Sequence, residues 1–144
     1  MKYVLLLAAV ILTSCNTDTS IVNVDANGNT FTIHAGQSVT IPSEHLTIGF
    51  SKVVNDSRCP AGAKCLWEGM AQLQMWMLQP SADTVFIMPA IRGGLTQSDT
   101  CCHTHIDTIG YSIKMVQLDP YPDLDAPLPI PSSEYIAYLQ ITKL

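Results

Sequence analysis

The sequence predicts an all-β protein of one domain, either an antiparallel β-sandwich of Greek-key or immunoglobulin-like type or a β-barrel. Two observations support this fold class. Short runs in which apolar and polar residues alternate recur along the chain and are separated by turn residues. No run shows the apolar repeat of 3.6 residues, with capping residues, that indicates a helix, so the crossover helices of a parallel sheet are not expected. With 144 residues, the chain is long enough for one such domain and hardly for two.

The predicted strands follow one another along the whole chain after residue 20. Residues 21–25 and 30–34 flank Asn27-Gly28, a pair that predicts a hairpin with a type I′ turn. Residues 71–78 alternate so that Leu73, Met75 and Met77 share one face, which we expect to be buried. The remaining strands are predicted at 37–41, 46–51, 84–88, 111–118 and 135–142.

A proline-rich segment interrupts this pattern near the C-terminus. Residues 119–131 read DPYPDLDAPLPIP and hold five of the nine prolines. Because proline cannot donate a hydrogen bond to a sheet, the segment must be irregular or extended. We expect it to lie over an edge or an end of the sandwich.

The N-terminus has the features of a bacterial export signal. Residues 3–12 form an apolar run that is too short to span a bilayer but fits the middle of a signal peptide. Leu12-Thr13-Ser14-Cys15 resembles the lipobox of bacterial lipoproteins. That resemblance implies a signal peptide at 1–14, a diacylglyceryl group on the Cys15 thiol and an acyl chain such as palmitate on its amine. A lipidated tether would then occupy 15–20 and the β domain 21–144. In that family an aspartate after the cysteine retains the protein in the inner membrane, so with Asn16 there the resemblance implies the outer membrane of a Gram-negative envelope.

Composition excludes several classes of protein. Only 13% of the residues are charged and 47% are apolar, which argues against a disordered chain. The net charge of -5 provides no basic surface for nucleic acid. The sequence also lacks the G-x-S-x-G, H-E-x-x-H, P-loop and G-x-G-x-x-G motifs, so no catalytic residue or organic cofactor is predicted.

The most distinctive stretch, 55–71, reads NDSRCPAGAKCLWEGMA. Its DSRCP sequence, followed by C-x-W-x-G-x-A, resembles a pattern of small, mostly uncharacterised bacterial lipoproteins. Those proteins also tend to carry a later PYP, which is matched here by Pro120-Tyr121-Pro122. The resemblance supports the lipoprotein interpretation but implies no activity.

Two interpretations of this motif follow from its residues. In the structural one, a Cys59–Cys65 disulfide fastens a short loop, Trp67 packs on the bridge, and Arg58 pairs with Asp56 or Glu68. In the functional one, three side chains form an exposed recognition surface: Arg58, Trp67 and Glu68.

A second group of cysteines lies at 98–107, which read SDTCCHTHID. If this segment is a strand, Cys101, His103 and His105 share one face and could bind copper or zinc together with Cys102. The alternative is that the four cysteines left after lipidation form two disulfides. Cys59–Cys65 with a vicinal Cys101–Cys102 bridge is one connectivity, and two cross-links between the groups are the others.

Taken together, these features predict a lipid-anchored binding or accessory lipoprotein of the cell envelope without catalytic activity. Its expected partners are the membrane, through the anchor, and an envelope protein or small ligand; nucleic acid is not expected. The alternative is an envelope lipoprotein that handles copper or zinc through the CCHTH segment.

Overall fold

The protein is an all-β, single-domain sandwich, as the sequence predicts, and not a closed barrel. The computed structural model describes residues 19–21, 27–94 and 105–144. In chain order the strands are β1 (Thr19–Ile21), β2 (Asn27–His34), β3 (Ser38–Ile41), β4 (Leu46–Asp56), β5 (Met70–Leu78), β6 (Val85–Ile87), β7 (Ala90–Arg92), β8 (His105–Thr108), β9 (Tyr111–Asp119) and β10 (Ile136–Lys143). Two single-turn 3-10 helices, Pro42–Glu44 and Ser132–Glu134, precede β4 and β10.

The strands form two sheets. In the first sheet the order is β1-β3-β4-β5, and β6 and β7 both pair with the outer side of β5. The second sheet has the order β2-β10-β9-β8. All pairs are antiparallel except β1 with β3. Long-range antiparallel pairs such as β2 with β10 therefore hold the two ends of the described chain in one domain.

The core lies between the sheets and follows the predicted alternation. Leu73, Met75 and Met77 of β5 are fully buried, which confirms the face assigned from the sequence. From the second sheet, Ile113 of β9 and Leu139 of β10 are buried in the same cluster. Burying one such side chain stabilises the fold by about 1.5–3 kcal/mol relative to leaving it in water.

The predicted hairpin around Asn27-Gly28 is wrong. Asn27 lies within β2 and pairs with Thr142 of β10, whereas β1 belongs to the other sheet. Between Thr30 and Asn27, β2 advances three residues while β10 advances two, from Gln140 to Thr142. One extra residue on β2 is a β-bulge, and Asn and Gly suit the backbone of a bulge as well as that of a turn.

Smaller differences concern element boundaries. β1 begins at Thr19, so the first strand starts within the segment predicted to be a tether. The strand predicted at 84–88 is shorter and is followed by a second edge strand, β7. Between them Pro89 has no amide to donate to β5, although its carbonyl oxygen accepts from the Leu73 amide over 2.9 Å. The predicted signal peptide at 1–14 and the lipidated Cys15 lie outside the described residues. No described helix is long and apolar enough to cross a membrane.

Candidate functional site: a clasp that joins the two sheets

Two bulges in β4 place Asp56 at the end of the core. Ser51 and Val54 are the extra residues, because β4 advances two residues at each point while β5 advances one. Each bulge reverses the inward and outward alternation, so the second restores the phase that the first changes. Asp56 consequently pairs with Ala71, which is fully buried, and both lie on the inner face. A carboxylate in this position requires hydrogen-bonding partners.

Arg58 supplies the charge that Asp56 requires. Its Nε donates to Asp56 Oδ1 over 2.9 Å and its Nη2 donates to Oδ2 over 2.7 Å, a two-pronged ion pair. The remaining guanidinium donors cross to the second sheet, where Nη1 donates to the Leu118 carbonyl over 2.7 Å and Nη2 to the Pro120 carbonyl over 3.0 Å. Arg58 is only 4% exposed.

Tyr135, the residue immediately before β10, completes this buried network. Its hydroxyl donates to Asp56 Oδ2 over 2.9 Å. Burial, reinforced by the hydrogen bond to the Asp56 carboxylate, raises the pKa of Tyr135 above its usual value. The phenol therefore stays protonated and remains a donor throughout the neutral range.

The disulfide loop is the closed end of the β4–β5 hairpin. The Ser57 amide donates to the Met70 carbonyl over 2.8 Å and the Cys59 amide donates to the Glu68 carbonyl over 2.9 Å, which continues the pairing beyond Asp56. The Cys59–Cys65 disulfide then closes the tip, as predicted. Gly69 is required at the base, since its φ is +66° and a Cβ there would overlap the Ser57 carbonyl oxygen.

The proline-rich segment packs on this loop. Ala61 donates to the Pro122 carbonyl over 2.8 Å and accepts from the Leu124 amide over 3.3 Å. The Tyr121 hydroxyl donates to the Cys59 carbonyl over 3.0 Å, and the Tyr121 ring lies 4.9 Å from Arg58 Cζ. The DSRCP and PYP motifs, which are about sixty residues apart in sequence, are therefore in contact. We call residues 56–70 and 120–124, together with Tyr135, the clasp.

Apolar side chains project from the outer surface of the clasp. Leu66 is 96% exposed and Trp67 is 74% exposed, while Met70 and Leu124 are about half exposed. We call these four residues the apolar rim. Beside them, a surface groove of about 680 Å³ is lined by the disulfide loop, Trp67, Glu68 and Tyr121.

The structure separates the residues that the sequence grouped as a recognition surface. Arg58 pairs with Asp56 rather than Glu68 and is buried, so its inclusion in an exposed surface was wrong. Trp67 and Glu68 are exposed, as the functional interpretation required. Three quarters of the Trp67 surface is open to solvent, and the packing of its ring on the disulfide stays a prediction. The clasp thus combines both interpretations: a structural interior and an exposed apolar rim.

A second groove, of about 590 Å³, lies between the bulged end of β4 and the proline-rich segment. Its three ionisable residues, Asp56, Arg58 and Tyr135, are bonded to one another. Their hydrogen bonds connect the two sheets, which is a structural use of these groups and not an arrangement of a nucleophile with a base.

The cysteine–histidine segment is only partly described. Of the four residues predicted to bind copper or zinc, Cys101, Cys102 and His103 lie outside the described residues. His105 is the first residue of β8 and is exposed. Within 19–21, 27–94 and 105–144, no group of three or more His, Cys, Asp or Glu side chains is arranged to hold a metal ion.

Sequence reasoning missed the two tyrosines that complete the clasp. Tyr135 lies 79 residues from Asp56, and Tyr121 lies 62 residues from Cys59. The PYP motif marked Tyr121 as part of the resemblance without indicating its partner. Nothing in the local sequence around Tyr135 distinguishes it from an ordinary strand residue. Compared with known protein families, curated proteins and solved structures, the chain shows no match.

Proposed function

We propose that the mature chain is a lipid-anchored binding module of the bacterial envelope, without catalytic activity, and that its contact surface is the apolar rim of the clasp. One observation carries this proposal: Trp67 and Leu66 are largely exposed on a loop that is held at its base, tip and side. Exposed apolar residues that stand together on a monomer mark an interaction surface more often than scattered ones do.

The construction of the loop supports binding rather than mere exposure. Ordering a mobile side chain or loop on binding costs about 0.5–1.5 kcal/mol for each flexible side chain. Here the loop is already held in place before any partner binds. It is fixed by the disulfide, by the pairing of Cys59 with Glu68 and by the contact of Ala61 with the proline-rich segment. Tryptophan also contributes a large apolar surface with only two side-chain torsions, and it is enriched among the residues that dominate binding energy.

The envelope location rests on the N-terminal sequence and on the resemblance to small lipoproteins. A disulfide between Cys59 and Cys65 agrees with an oxidising compartment outside the cytosol. Two or three acyl chains on Cys15 would hold the protein on a membrane durably, whereas a single chain gives only marginal binding. The outer membrane is the favoured destination because Asn16 follows the cysteine.

The proposal is tested by comparing purified protein with isolated envelopes. Intact mass of the mature chain is expected to show acylation at Cys15 and the loss of residues 1–14. Hydroxyl-radical labelling is then expected to modify Trp67 strongly in the purified domain and weakly in envelopes. Phe86, which is 68% exposed on β6, is the matched control and should be labelled equally in both. An unacylated chain, or equal labelling of Trp67 in the two preparations, would contradict the proposal.

Metal handling is the competing proposal, and His105 is the described observation that favours it, because it is exposed directly after the CCHT residues. Titration of the reduced mature protein with copper(I) or zinc tests it. Binding tighter than about micromolar that a His103→Ala/His105→Ala variant abolishes would support a metal site. Weaker binding, or binding that the variant retains, would remove it.

A further inference from the structure

We propose that the apolar rim of the clasp contacts the lipid bilayer itself, so that the protein stands with its clasp end against the membrane to which it is anchored. This inference rests on the proposed acylation of Cys15 and names the partner of the same surface. Strand direction, chain length and side-chain chemistry each support it.

The directions of the strands bring the N-terminus and the clasp to the same end of the sandwich. β1 runs parallel to β3, and Thr19 pairs with Ser38. Ser38 in turn pairs with Gly49 of the antiparallel β4, which continues from Gly49 to Asp56 at the base of the clasp. The chain therefore enters β1 from the side on which β4 ends. From there β1 runs, like β3, toward the opposite end of the sandwich, around Glu44.

The length of chain before β1 limits where the anchor can be. Gly49 pairs with Trp76 and Asp56 with Ala71, so the clasp base lies five β5 residues beyond Thr19, about 17 Å along the sheet. From Cys15 to Thr19 there are four residue steps, which span about 14 Å at most. This maximum reach from Thr19 extends almost to the level of the clasp base. The disulfide loop projects further still, so acyl chains that start at Cys15 enter a membrane surface that the loop can also reach.

The rim has the side chains that a membrane interface accepts. Tryptophan concentrates at the level of lipid headgroups because its ring is largely apolar and carries one N–H donor. Leu66 lines the same groove as Trp67, Met70 lines another groove with it, and Leu124 is exposed on the proline-rich segment. Contacts of this kind gain free energy in proportion to the apolar area that enters the interface.

The charges near the rim indicate which lipids are needed. Apart from the internal Arg58–Asp56 pair, two bases and three acids lie on or beside the clasp, namely Lys64, Arg92, Glu68, Asp123 and Asp125. Such a mixture has no positive excess with which to attract anionic headgroups. Contact with the bilayer should therefore be apolar in origin, and zwitterionic lipid should be sufficient.

The test measures the depth of Trp67 in vesicles. The lipidated protein, with Trp76→Phe so that Trp67 is the sole tryptophan, is reconstituted into phosphatidylcholine vesicles whose acyl chains carry bromine near the headgroup. Phenylalanine keeps a ring over Gly49, where Trp76 lies close. We expect the emission of Trp67 to shift to the blue, to be quenched by the brominated lipid, and to lose most of its quenching by aqueous acrylamide.

The matched control places the reporter elsewhere on the same fold. Trp67→Phe/Trp76→Phe/Phe86→Trp carries its only tryptophan on β6, which pairs with β5 at Trp76, about 20 Å along the strand from Met70. This tryptophan should remain accessible to acrylamide and escape the brominated lipid. Equal quenching at positions 67 and 86 would contradict an end-on contact. If acrylamide quenches Trp67 as strongly in vesicles as in the protein without lipid, the proposed bilayer contact is wrong.

Further outcomes separate this inference from the proposed function. An unacylated Cys15 would refute both. An acylated protein whose Trp67 is protected in envelopes but exposed in pure lipid vesicles would refute the bilayer contact and leave a protein partner. Replacing half of the phosphatidylcholine with phosphatidylglycerol should leave the quenching of Trp67 unchanged, and quenching that requires the anionic lipid would contradict an apolar contact.

Discussion

Arg58 Nη1 donates a hydrogen bond of 2.7 Å to the carbonyl oxygen of Leu118, and this bond joins the end of β4 in one sheet to β9 in the other. The same guanidinium neutralises Asp56 in the first sheet. The clasp end of the sandwich is thus closed by a buried cation whose acceptors come from both sheets. This interior fixes the base of the loop that exposes Trp67.

Replacing Arg58 should destabilise the fold strongly. Arg58→Met retains much of the apolar stem, but it leaves a buried carboxylate without its cation and the Leu118 and Pro120 carbonyls without donors. Breaking a buried pair in this way costs about 3–5 kcal/mol. Urea denaturation of the disulfide-intact protein measures the loss.

The matched control is the exposed ion pair at the opposite end. Lys143 Nζ lies 2.8 Å from Glu44 Oε2, and the Lys143 side chain is mostly exposed. Lys143→Met should change the free energy of unfolding by less than about 1 kcal/mol. Similar losses for the two variants would show that burial of Arg58 contributes nothing.

Gly69→Ala should lower the stability of the fold more than Gly36→Ala does. Both glycines have positive φ, so either alanine incurs a left-handed backbone strain of about 1–2 kcal/mol. Only at Gly69 does the added Cβ also overlap a backbone carbonyl, that of Ser57, whereas nothing lies within 4 Å of a Cβ at Gly36. Thermal unfolding of the two variants compares them, and equal losses would contradict a steric role for Gly69.

Removing the Cys59–Cys65 disulfide should lower stability modestly and loosen the rim. The bridge spans a sequence separation of 6, and so short a loop restricts the unfolded chain by about 2 kcal/mol. Cys59→Ser/Cys65→Ser should therefore lower the free energy of unfolding by that amount. The fluorescence anisotropy of Trp67, measured with Trp76→Phe, should fall because the loop gains local motion. An unchanged anisotropy would mean that the pairing of Cys59 with Glu68 alone orders the loop.

The parts of this structure that were predictable are those with a local cause. Alternation in 71–78 identified the buried face of β5, and a cysteine pair around Pro60 and Gly62 predicted a short bridged loop. The hairpin at Asn27-Gly28 failed because pairing with Thr142, 115 positions further along, outweighs the local turn preference. Asn27 and Gly28 instead belong to a β-bulge, whose backbone suits asparagine and glycine as well as that of a turn does.

The interior of the clasp was only half predictable for a related reason. The sequence suggested that Arg58 pairs with Asp56 or Glu68, and the structure shows the pair with Asp56. Whether such a pair is buried depends on the Leu118 carbonyl and on Tyr135, both distant in sequence. Arg58, a charged residue in a motif that was expected to be exposed, is therefore buried, whereas Trp67 of the same motif lies on the surface.

Stability at extreme pH should depend on Glu44 and Tyr111 at the end of the sandwich opposite the clasp. Hydrogen bonds from Lys143 and then Tyr111 hold the pKa of Glu44 below its usual value of 4.5. Glu44 therefore stabilises the fold above pH 4.5, and this contribution is lost as the pH falls through the lower folded pKa. Burial, followed by the hydrogen bond to Glu44, raises the pKa of Tyr111 from 10.0 to about 12. Its contribution is present below pH 10 and is lost as the pH rises toward 12.

Two substitutions separate these groups. Glu44→Gln should flatten the acid side of the stability profile and reduce the alkaline loss, because the Tyr111 hydroxyl then faces a neutral amide. Tyr111→Phe should remove its part of the alkaline loss and leave an acid dependence through Lys143. Tyr135, whose pKa is also raised, keeps some alkaline dependence in both variants. Urea unfolding from pH 3 to 11 measures the profiles. An acid limb that is identical in parent and Glu44→Gln would show that the hydrogen bonds of Glu44 do not contribute to stability.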